Sequence, residues 1–390
     1  MNARSSNDYV IRVFDDPSKL DARAWNALLD AQAQPTLFMR HEYLAALHAS
    51  GSAVPRTGWT PRFVTLWSHG RLAAAAPAYI KAHSFGEYVF DWAWADAYAR
   101  HGLDYYPKLL VAVPFTPVPG TRLLAEDDAA REALVAALRR IERDEALSSA
   151  HVLFHDEADA AALASAGWMT RQTVQFHWRA ADAGEPSDFE AFLARLQRDK
   201  RKKIHQERRR VAEAGVTFRV LQQREIDKAA WDLFYRCYVR TYRAHRSTPY
   251  LTRAFFGAMA AAPPQHWVMF VAERGGAAIA ASLIAWDAAR RAAYGRYWGA
   301  LEQVDCLHFE ACYYQPLQWC IAHGVRTFEG GAQGEHKMAR GLLPVRMRSA
   351  HRLAHPAFAQ AVDDHLRAEG LGVDAYVDEL AERDPFKRSG

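Results

Sequence analysis

Paired cysteine motifs are missing from this chain of 390 residues. Its four cysteines, Cys237, Cys306, Cys312 and Cys320, form no C-x-x-C pair, which excludes a zinc ribbon and a thioredoxin-like redox motif. Cys312 and Cys320 fall on one predicted helix, where eight residues separate them by about 12 Å, beyond the reach of a disulfide. We therefore expect reduced thiols, as in the cytosol, and no metal centre.

Long apolar runs are also absent. The longest, Leu72–Ile80 and Ala277–Trp286, fall short of the roughly 20 residues that a membrane helix needs. The first segment, Met1–Asp8, is polar and lacks the apolar core of a secretion signal. These absences predict a cytoplasmic protein without a membrane span.

Several catalytic signatures are missing as well. The sequence has no phosphate-binding loop of the form G-x-x-x-x-G-K-[ST], no G-x-G-x-x-G after a strand and no G-x-S-x-G elbow. His41-Glu42 begins like a zinc-protease motif, but Ala45 stands where the second histidine is needed. P-loop nucleotide hydrolysis, dinucleotide binding, the serine-hydrolase elbow and zinc proteolysis are therefore excluded.

The composition is that of a soluble globular chain with two domains. Half of the residues are apolar and 24% are charged, so a full core can form, and the length suggests two domains. The formal charge of +4 is too small to require a nucleic-acid partner.

Helical and strand-like segments alternate in the same order twice along the chain. In each half, helices precede a hairpin with a glycine-containing turn, and a further helix and strand follow. The first hairpin is predicted over Arg62–Trp67 and Leu72–Lys81, and the best-defined helix over His308–His323. We predict a mixed α/β fold with an N-terminal domain (1–180), a C-terminal domain with a basic entry helix (181–350) and a tail of two short helices (351–390).

Carboxylates and aromatic rings alternate between residues 81 and 108. Such a mixture suits an amine, through charge pairing and cation–π attraction of roughly 0.5–2 kcal/mol per ring. The alternative is a packed aromatic loop whose carboxylates cap helices. The candidate substrate-binding residues are Lys81, His83, Ser84, Glu87, Tyr88, Asp91, Trp92, Trp94, Tyr98, Tyr106 and Lys108.

A glycine-rich turn rich in ionisable groups spans residues 329–340. Its glycines let backbone amides approach a ligand, and its charged side chains fit anion binding and proton transfer. The alternative is a solvated turn that leads into a helix. The candidate donor-binding residues are Gly331, Gln333, Gly334, Glu335, Lys337 and Arg340 from this turn, with Arg296, Trp298 and Gly299 from the preceding strand.

The preceding strand ends at Trp298-Gly299 and leads to the helix that carries Glu310 and Tyr314. A strand end beside a helix start is a place where backbone amides can meet an acyl carbonyl. Our candidate catalytic residues are Glu310, His336 and Tyr314. Tyr313 lies on the apolar face of the helix and is expected in the core.

A basic run, Arg195–Arg210, holds nine Lys or Arg in 16 residues. Its apolar stripe indicates an amphipathic helix with one buried face. The exposed face either is solvated or binds a phosphate-rich partner such as tRNA.

Four longer segments resemble known families. Ala160–Trp178 is similar to the closing helix and strand of the acetyltransferase (GNAT) fold, and Lys200–Val216 to the basic helix of Fem-type peptidyltransferases. His83–Tyr98 and Gly331–Gly341, with P-F-T-P-V-P-G-T-R-L-L between them, resemble in order the FemAB-like predicted N-acyltransferases, labelled peptidoglycan biosynthesis/recognition. The resemblance runs from about Pro35 to Arg352 and implies two GNAT-like domains in tandem, each a mixed, mostly antiparallel sheet flanked by helices.

The resemblance implies transfer of an acyl or aminoacyl group to an amine. The donor would be acyl-CoA, as in GNAT enzymes, or aminoacyl-tRNA, as in Fem-type enzymes, and no cofactor is expected to be tightly bound. The coenzyme A loop of the GNAT family, Q/R-x-x-G-x-G/A, is half matched by Arg296–Leu301. That half match leaves one alternative open, a non-catalytic binding protein that recognises a cell-wall fragment or another small ligand.

Overall fold

The computed structural model describes residues 9–261, 266–331 and 334–387. The chain forms two compact units: unit 1 comprises Met1–Thr173 and Arg346–Ala375, and unit 2 comprises Val174–Val345 and Tyr376–Gly390. The predicted boundary at residue 180 lies close to the division after Thr173. The predicted tail 351–390 is not a separate part, because its residues are divided between the two units.

The strands are short, and most of them pair with antiparallel neighbours. In chain order they are β1 (Val10–Phe14), β2 (Trp59–Pro61), β3 (Phe63–Ser68), β4 (Arg71–Ala76), β5 (Ala78–Lys81), β6 (Lys108–Val111), β7 (Leu124–Ala125), β8 (Ser149–Leu153), β9 (Met169–Arg179), β10 (Val216–Gln222), β11 (Trp267–Arg274), β12 (Ala277–Asp287), β13 (Ala292–Ala300), β14 (Thr327–Glu329) and β15 (Leu343–Leu353).

Aspartates begin several of the helices. The side chains of Asp127, Asp156, Asp188 and Asp227 each accept a hydrogen bond from an amide of the first turn, which satisfies a donor that has no partner within the helix. The α-helices are α1 (Ala22–Asp30), α2 (His41–Ala49), α3 (Trp92–Arg100), α4 (Asp128–Asp144), α5 (Glu157–Ser165), α6 (Phe189–Arg195), α7 (Arg198–Glu213), α8 (Lys228–Ala244), α9 (Arg253–Ala261), α10 (Leu307–Phe309), α11 (Gln315–Ala322) and α12 (Pro356–Glu382).

Unit 1 contains two groups of paired strands. The order β1-β3-β4-β7 forms one antiparallel sheet, and β15, β8, β6, β5 and β2 pair in that order, with β6 and β8 parallel. The predicted return strand Leu72–Lys81 is in fact two strands, β4 and β5, in different sheets. Pro77 separates them, because proline has no amide hydrogen to continue a ladder.

Unit 2 pairs its strands in the order β10-β11-β12-β13-β14-β9. Only β13 and β14 run parallel among these pairs. The helix α8 packs against β12 and β13. Both units thus have mixed α/β architecture with mostly antiparallel sheets, which confirms the predicted fold class.

Each unit has its own apolar core. In unit 1, leucines of α4 such as Leu134 and Leu138 pack on the alanine-rich strand β4. In unit 2, aromatic residues such as Trp178, Phe192 and Phe328 fill the core. The burial of these side chains fixes which face of each strand points inward.

Two helical predictions differ from the structure. The basic helix is interrupted at Leu196-Gln197, where Leu196 is buried and forms a bridge with Phe386. The C-terminal segment forms one continuous helix, α12, rather than two short ones. None of the helices in the described part of the chain is both long and apolar enough to cross a bilayer.

Candidate active site

Between α10 and α11, in unit 2, the backbone forms one π turn, Glu310–Tyr314. The sequence predicts a helix with a kink at Pro316, and in the structure the amide of Gln315 bonds the carbonyl of Glu310, five residues earlier. Such a turn holds an extra residue, redirects the side chains before it and occurs frequently at functional sites.

Pro316 and Ser282 stabilise this wide turn. In the i to i−5 register, the amide of residue 316 would bond the carbonyl of Ala311, but proline has no amide hydrogen. The buried hydroxyl of Ser282, on β12, donates to that carbonyl at 2.5 Å instead. The sequence therefore supplies a side-chain donor where the backbone lacks one.

Glu310 is a buried carboxylate with one satisfied and one unsatisfied oxygen. Its Oε1 accepts from Nε2 of Gln315 at 2.7 Å and from Nε of Arg208 at 3.2 Å. Its Oε2 is buried and has no hydrogen-bond partner among the described residues, and 5% of the side chain is exposed. Burial raises the pKa of Glu310, and Arg208 partly opposes that rise. A carboxylate with a raised pKa is a better proton acceptor than an exposed one.

Tyr314 and Arg340 both bind Glu207, a residue of α7. The phenol of Tyr314 donates to Glu207, and Nη2 of Arg340 donates to both carboxylate oxygens, at 2.9 and 3.1 Å. Burial raises the pKa of Tyr314. The guanidinium of Arg340 also lies 3.6 Å from the ring centroid of Phe309. The charge of Arg340 is therefore neutralised inside unit 2, where sequence analysis expected it to hold donor phosphates.

Lys337 is likewise directed into the protein. Its Nζ donates to the carbonyl of Gly331 at 2.8 Å, and burial lowers its pKa to about 8. The lysine thus holds the two ends of the glycine-rich turn together. Gln333, another candidate of this turn, lies outside the described residues.

His336 and Glu335 lie on the exposed side of the turn. Nε2 of His336 is 3.2 Å from the hydroxyl of Tyr313, and burial, with the nearby Arg340, lowers the histidine pKa. Glu335 forms an ion pair with Arg383. Gly334 has a φ of +112°, and a Cβ there would lie 2.3 Å from the ring of His336, so glycine is required.

Strand β13 brings the remaining donor candidates together. Its pairing with β12 shifts between Gly295 and Tyr297, which leaves Arg296 as the extra residue of a bulge. The guanidinium of Arg296 lies 5.0 Å from the ring of Tyr297. A Cβ on Gly299 would lie 2.0 Å from the carbonyl oxygen of Cys237, so glycine allows β13 to lie against α8.

A cleft of about 360 Å³ opens where β13 ends and α10 begins. Cys306 precedes α10 with a φ of +65°, a left-handed conformation that non-glycine residues adopt at a cost of about 1–3 kcal/mol, often at functional sites. Aromatic and cationic groups share the walls. The lining residues include Arg240, Thr241, His245, Trp298, Ala300, Cys306, His308 and Phe309.

The acidic and aromatic candidates lie in unit 1, where the carboxylates bind lysines of the chain itself. Nζ of Lys108 donates to Ser84 and Glu87, each at 2.8 Å, and to Asp91. Burial would raise the pKa of Asp91, but Lys108 holds it at about 2. The cation that sequence analysis expected as a ligand is thus provided by Lys108.

Lys81 is the second buried cation of this cluster. Its Nζ lies 3.6 Å from the ring centroid of Trp59 and 4.0 Å from Oε1 of Glu87. Burial lowers the pKa of Lys81 to about 7 and raises that of Glu87 to about 7. The cluster is therefore an internal network of ionisable groups.

The other substrate candidates surround that network. Tyr106 is 2.8 Å from the hydroxyl of Ser84, whereas His83 and Tyr88 are half-buried and Trp92 is exposed. Trp94 and Tyr98 belong to a small apolar core that α3 forms with α12.

Two features of the site were not predicted from the sequence: the role of Glu207 as a partner of Arg340, and the pairing of Arg208 with Glu310. A signal for Glu207 was present, because it stands three residues after Ile204 and four before Val211, on the buried stripe of α7. An acid at a core position within a basic run indicates a buried cation partner. The sequence did not show that this partner would be Arg340.

Comparison with known proteins identifies a family and a fold. A model of the FemAB-like family, described as peptidoglycan biosynthesis/recognition, matches residues 16–388. No curated protein sequence matches the chain significantly.

Three solved structures share the fold at low sequence identity. The C-terminal domain of a putative lysylphosphatidylglycerol synthetase from Agrobacterium fabrum has 11% identity and a TM-score of 0.53, covering 90% of this chain and 96% of that one. FemX has 10% identity and a TM-score of 0.53, covering 88% and 98%. L-PGS from Bacillus licheniformis has 12% identity and a TM-score of 0.54, covering 90% and 98%.

Proposed function

The chain belongs to the FemAB-like family, and on this premise we propose that it is an N-acyltransferase that moves an acyl or aminoacyl group from an activated donor to an amine. The observation that carries the proposal is the position of Glu310. Its buried carboxylate has one fixed and one free oxygen and follows directly after the α10 residues that line the first cleft.

The first cleft suits the donor. Trp298 and Phe309 offer aromatic walls. Arg240 offers a cation and His245 an imidazole, and Glu302 is an acid on the same walls. An adenine ring and phosphates match such walls by stacking and charge pairing. Coenzyme A and the terminal adenosine of aminoacyl-tRNA both carry this chemistry.

Glu310 would act as the base in the proposed reaction. The amine gives a proton to Oε2 of Glu310 while its nitrogen bonds to the donor carbonyl carbon. The C–S bond of a thioester or the C–O bond of an aminoacyl ester then breaks, and the proton passes to the departing sulfur or oxygen. The oxyanion would form beside Trp298 and Gly299, where one backbone donor typically contributes about 3–4 kcal/mol.

Aminoacyl-tRNA is a candidate donor because of the outer face of α7. Arg198, Lys202, Lys203 and Arg210 are exposed, and within the described ranges their side chains have no ion-pair partner. A polyphosphate backbone would bind such a face with steep salt dependence. Binding of tRNA that does not weaken with salt, or no binding, would leave acyl-CoA as the donor class.

A donor panel tests the proposal. The full chain is incubated with acyl-CoA thioesters or charged tRNA and primary amines, and amide products are detected by mass spectrometry. We expect product with the wild type and a loss of about 10²–10⁴-fold in kcat for Glu310→Gln, with Glu213→Gln on the exposed face of α7 as control. The non-catalytic alternative holds if no donor yields an amide while a cell-wall fragment binds.

A further inference from the structure

A second cleft, of about 570 Å³, lies between α7, β10 and the π turn of unit 2. Its volume falls in the range of small-molecule sites. The residues that bear on its chemistry are His205, Arg208, Arg209, Thr217, Glu310 and Gln315.

The Oε2 atom of Glu310 is the feature that indicates a ligand site in this cleft. Arg208 and Gln315 both donate to Oε1, which fixes the carboxylate. Oε2 is buried, and no residue in the described ranges donates to it. A buried carboxylate oxygen without a hydrogen bond is costly, so a ligand that donates there gains the full value of that bond. An ammonium or amine is the matching donor.

The opposite charge also lines the cleft. Arg209 and His205 are exposed, and in the part of the chain that the structure describes neither side chain has an ion-pair or hydrogen-bond partner. Arg208 is engaged by Glu310 and lies against the ring of Phe189, 4.9 Å from its centroid. The cleft thus combines one carboxylate oxygen that has no partner among the described residues with one unengaged guanidinium and an exposed imidazole.

We propose that this cleft binds the acceptor, a primary amine that also carries a carboxylate or a phosphate, with the amine at Oε2 of Glu310 and the anion at Arg209 and His205. The proposal rests on the proposed function for its role in catalysis, but binding can be measured without turnover. It assigns the acceptor to unit 2, whereas sequence analysis expected it among residues 81–108.

Calorimetry of the full chain tests the binding directly. The probes are ω-amino acids of increasing length and O-phosphoethanolamine, each compared with the matching amine that lacks the anion. We expect the amines that carry an anion to bind the wild type at least tenfold more tightly than the matching amines without it, and Arg209→Ala or Arg209→Glu to remove that ratio. Comparison of the ω-amino acids with O-phosphoethanolamine shows whether the cleft prefers a carboxylate or a phosphate. Arg236→Ala, which removes an exposed arginine of α8 away from the cleft, is the control.

Two outcomes separate this proposal from the proposed function. If the anionic amines bind equally to the wild type and to both Arg209 variants, or not at all, the acceptor site is wrong even where amide is formed with other amines. If they bind as expected but no donor gives amide, the binding site stands and the transferase fails. Glu310→Gln, which turns an acceptor-only group into one that also donates, should weaken the binding of every amine probe; unchanged affinity would overturn the assignment of Oε2.

Discussion

Nη2 of Arg340 donates to both carboxylate oxygens of Glu207, at 2.9 and 3.1 Å. This contact joins α7 to the turn Glu335–Arg340 within unit 2. Both side chains are buried, with 3% and 8% exposed. The basic helix is therefore attached to the rest of the site by its one inward-facing acid.

Glu207→Ala leaves the guanidinium of Arg340 buried without its anion. Breaking one side of a buried pair costs about 3–5 kcal/mol, so we expect a loss of that size in the free energy of unfolding, measured with urea. The control, Glu213→Ala, removes an exposed glutamate of the same helix and should change stability by less than about 0.5 kcal/mol. A similar effect of both substitutions would show that the pair does not anchor α7.

Arg208→Met should shift the pH profile of the transfer reaction. Burial raises the pKa of Glu310 and Arg208 partly opposes this, so removal of the guanidinium raises that pKa further. A base must be deprotonated, so activity falls as pH drops through its pKa. The acid limb of kcat/KM should therefore move to higher pH in the variant, measured with one donor and one amine. An unmoved limb would mean that Glu310 is not the base.

Ser282 and Pro316 should be energetically coupled. Ser282→Ala leaves the carbonyl of Ala311 buried without its donor and should cost about 1–3 kcal/mol. Pro316→Ala restores an amide hydrogen that can reach that carbonyl in the π register. In a double-mutant cycle of unfolding free energies, we expect the double variant to be more stable than the sum of the two losses predicts. Simple additivity would argue against a shared carbonyl.

The buried Lys81 should make the stability of the chain increase above neutral pH. Burial lowers its pKa from 10.5 to about 7 in the folded state, so between these values the unfolded chain binds more protons. Stability then rises with pH, by up to about 1.4 kcal/mol per unit. We expect this slope between pH 7 and about pH 9 in urea unfolding of the wild type, relative to Lys81→Met. Parallel pH dependences of the two proteins would refute it.

Much of the fold follows from local pattern. Strand alternation, glycine turns and aspartate caps give two mixed α/β halves, because each of these signals acts over a few residues. The split of the first hairpin at Pro77 also had a signal in the sequence, since proline cannot continue a central ladder.

The site was less predictable because its key contacts join distant residues. The sequence indicated Glu310. Its contact with Gln315, however, depends on a π turn, which the 3.6-residue periodicity of an α-helix does not predict. Lys108 meets Glu87 and Asp91 only once β6 is in place. The sequence showed acids and lysines in one segment but not that they would neutralise each other, because pairing is decided by tertiary contacts.

The π turn, Glu310–Tyr314, holds one residue more than a regular helical turn would. The length of this segment, and not only its side chains, therefore shapes the site. Five residues of a π turn cover nearly the same rotation as four residues of an α-helix, so removal of one residue between Ala311 and Tyr314 would let the segment rewind as a regular α-helix while α10 and α11 kept their orientation. A π turn is thus a place where a helix can hold one more residue, and one more side chain, while the turns on either side keep their packing.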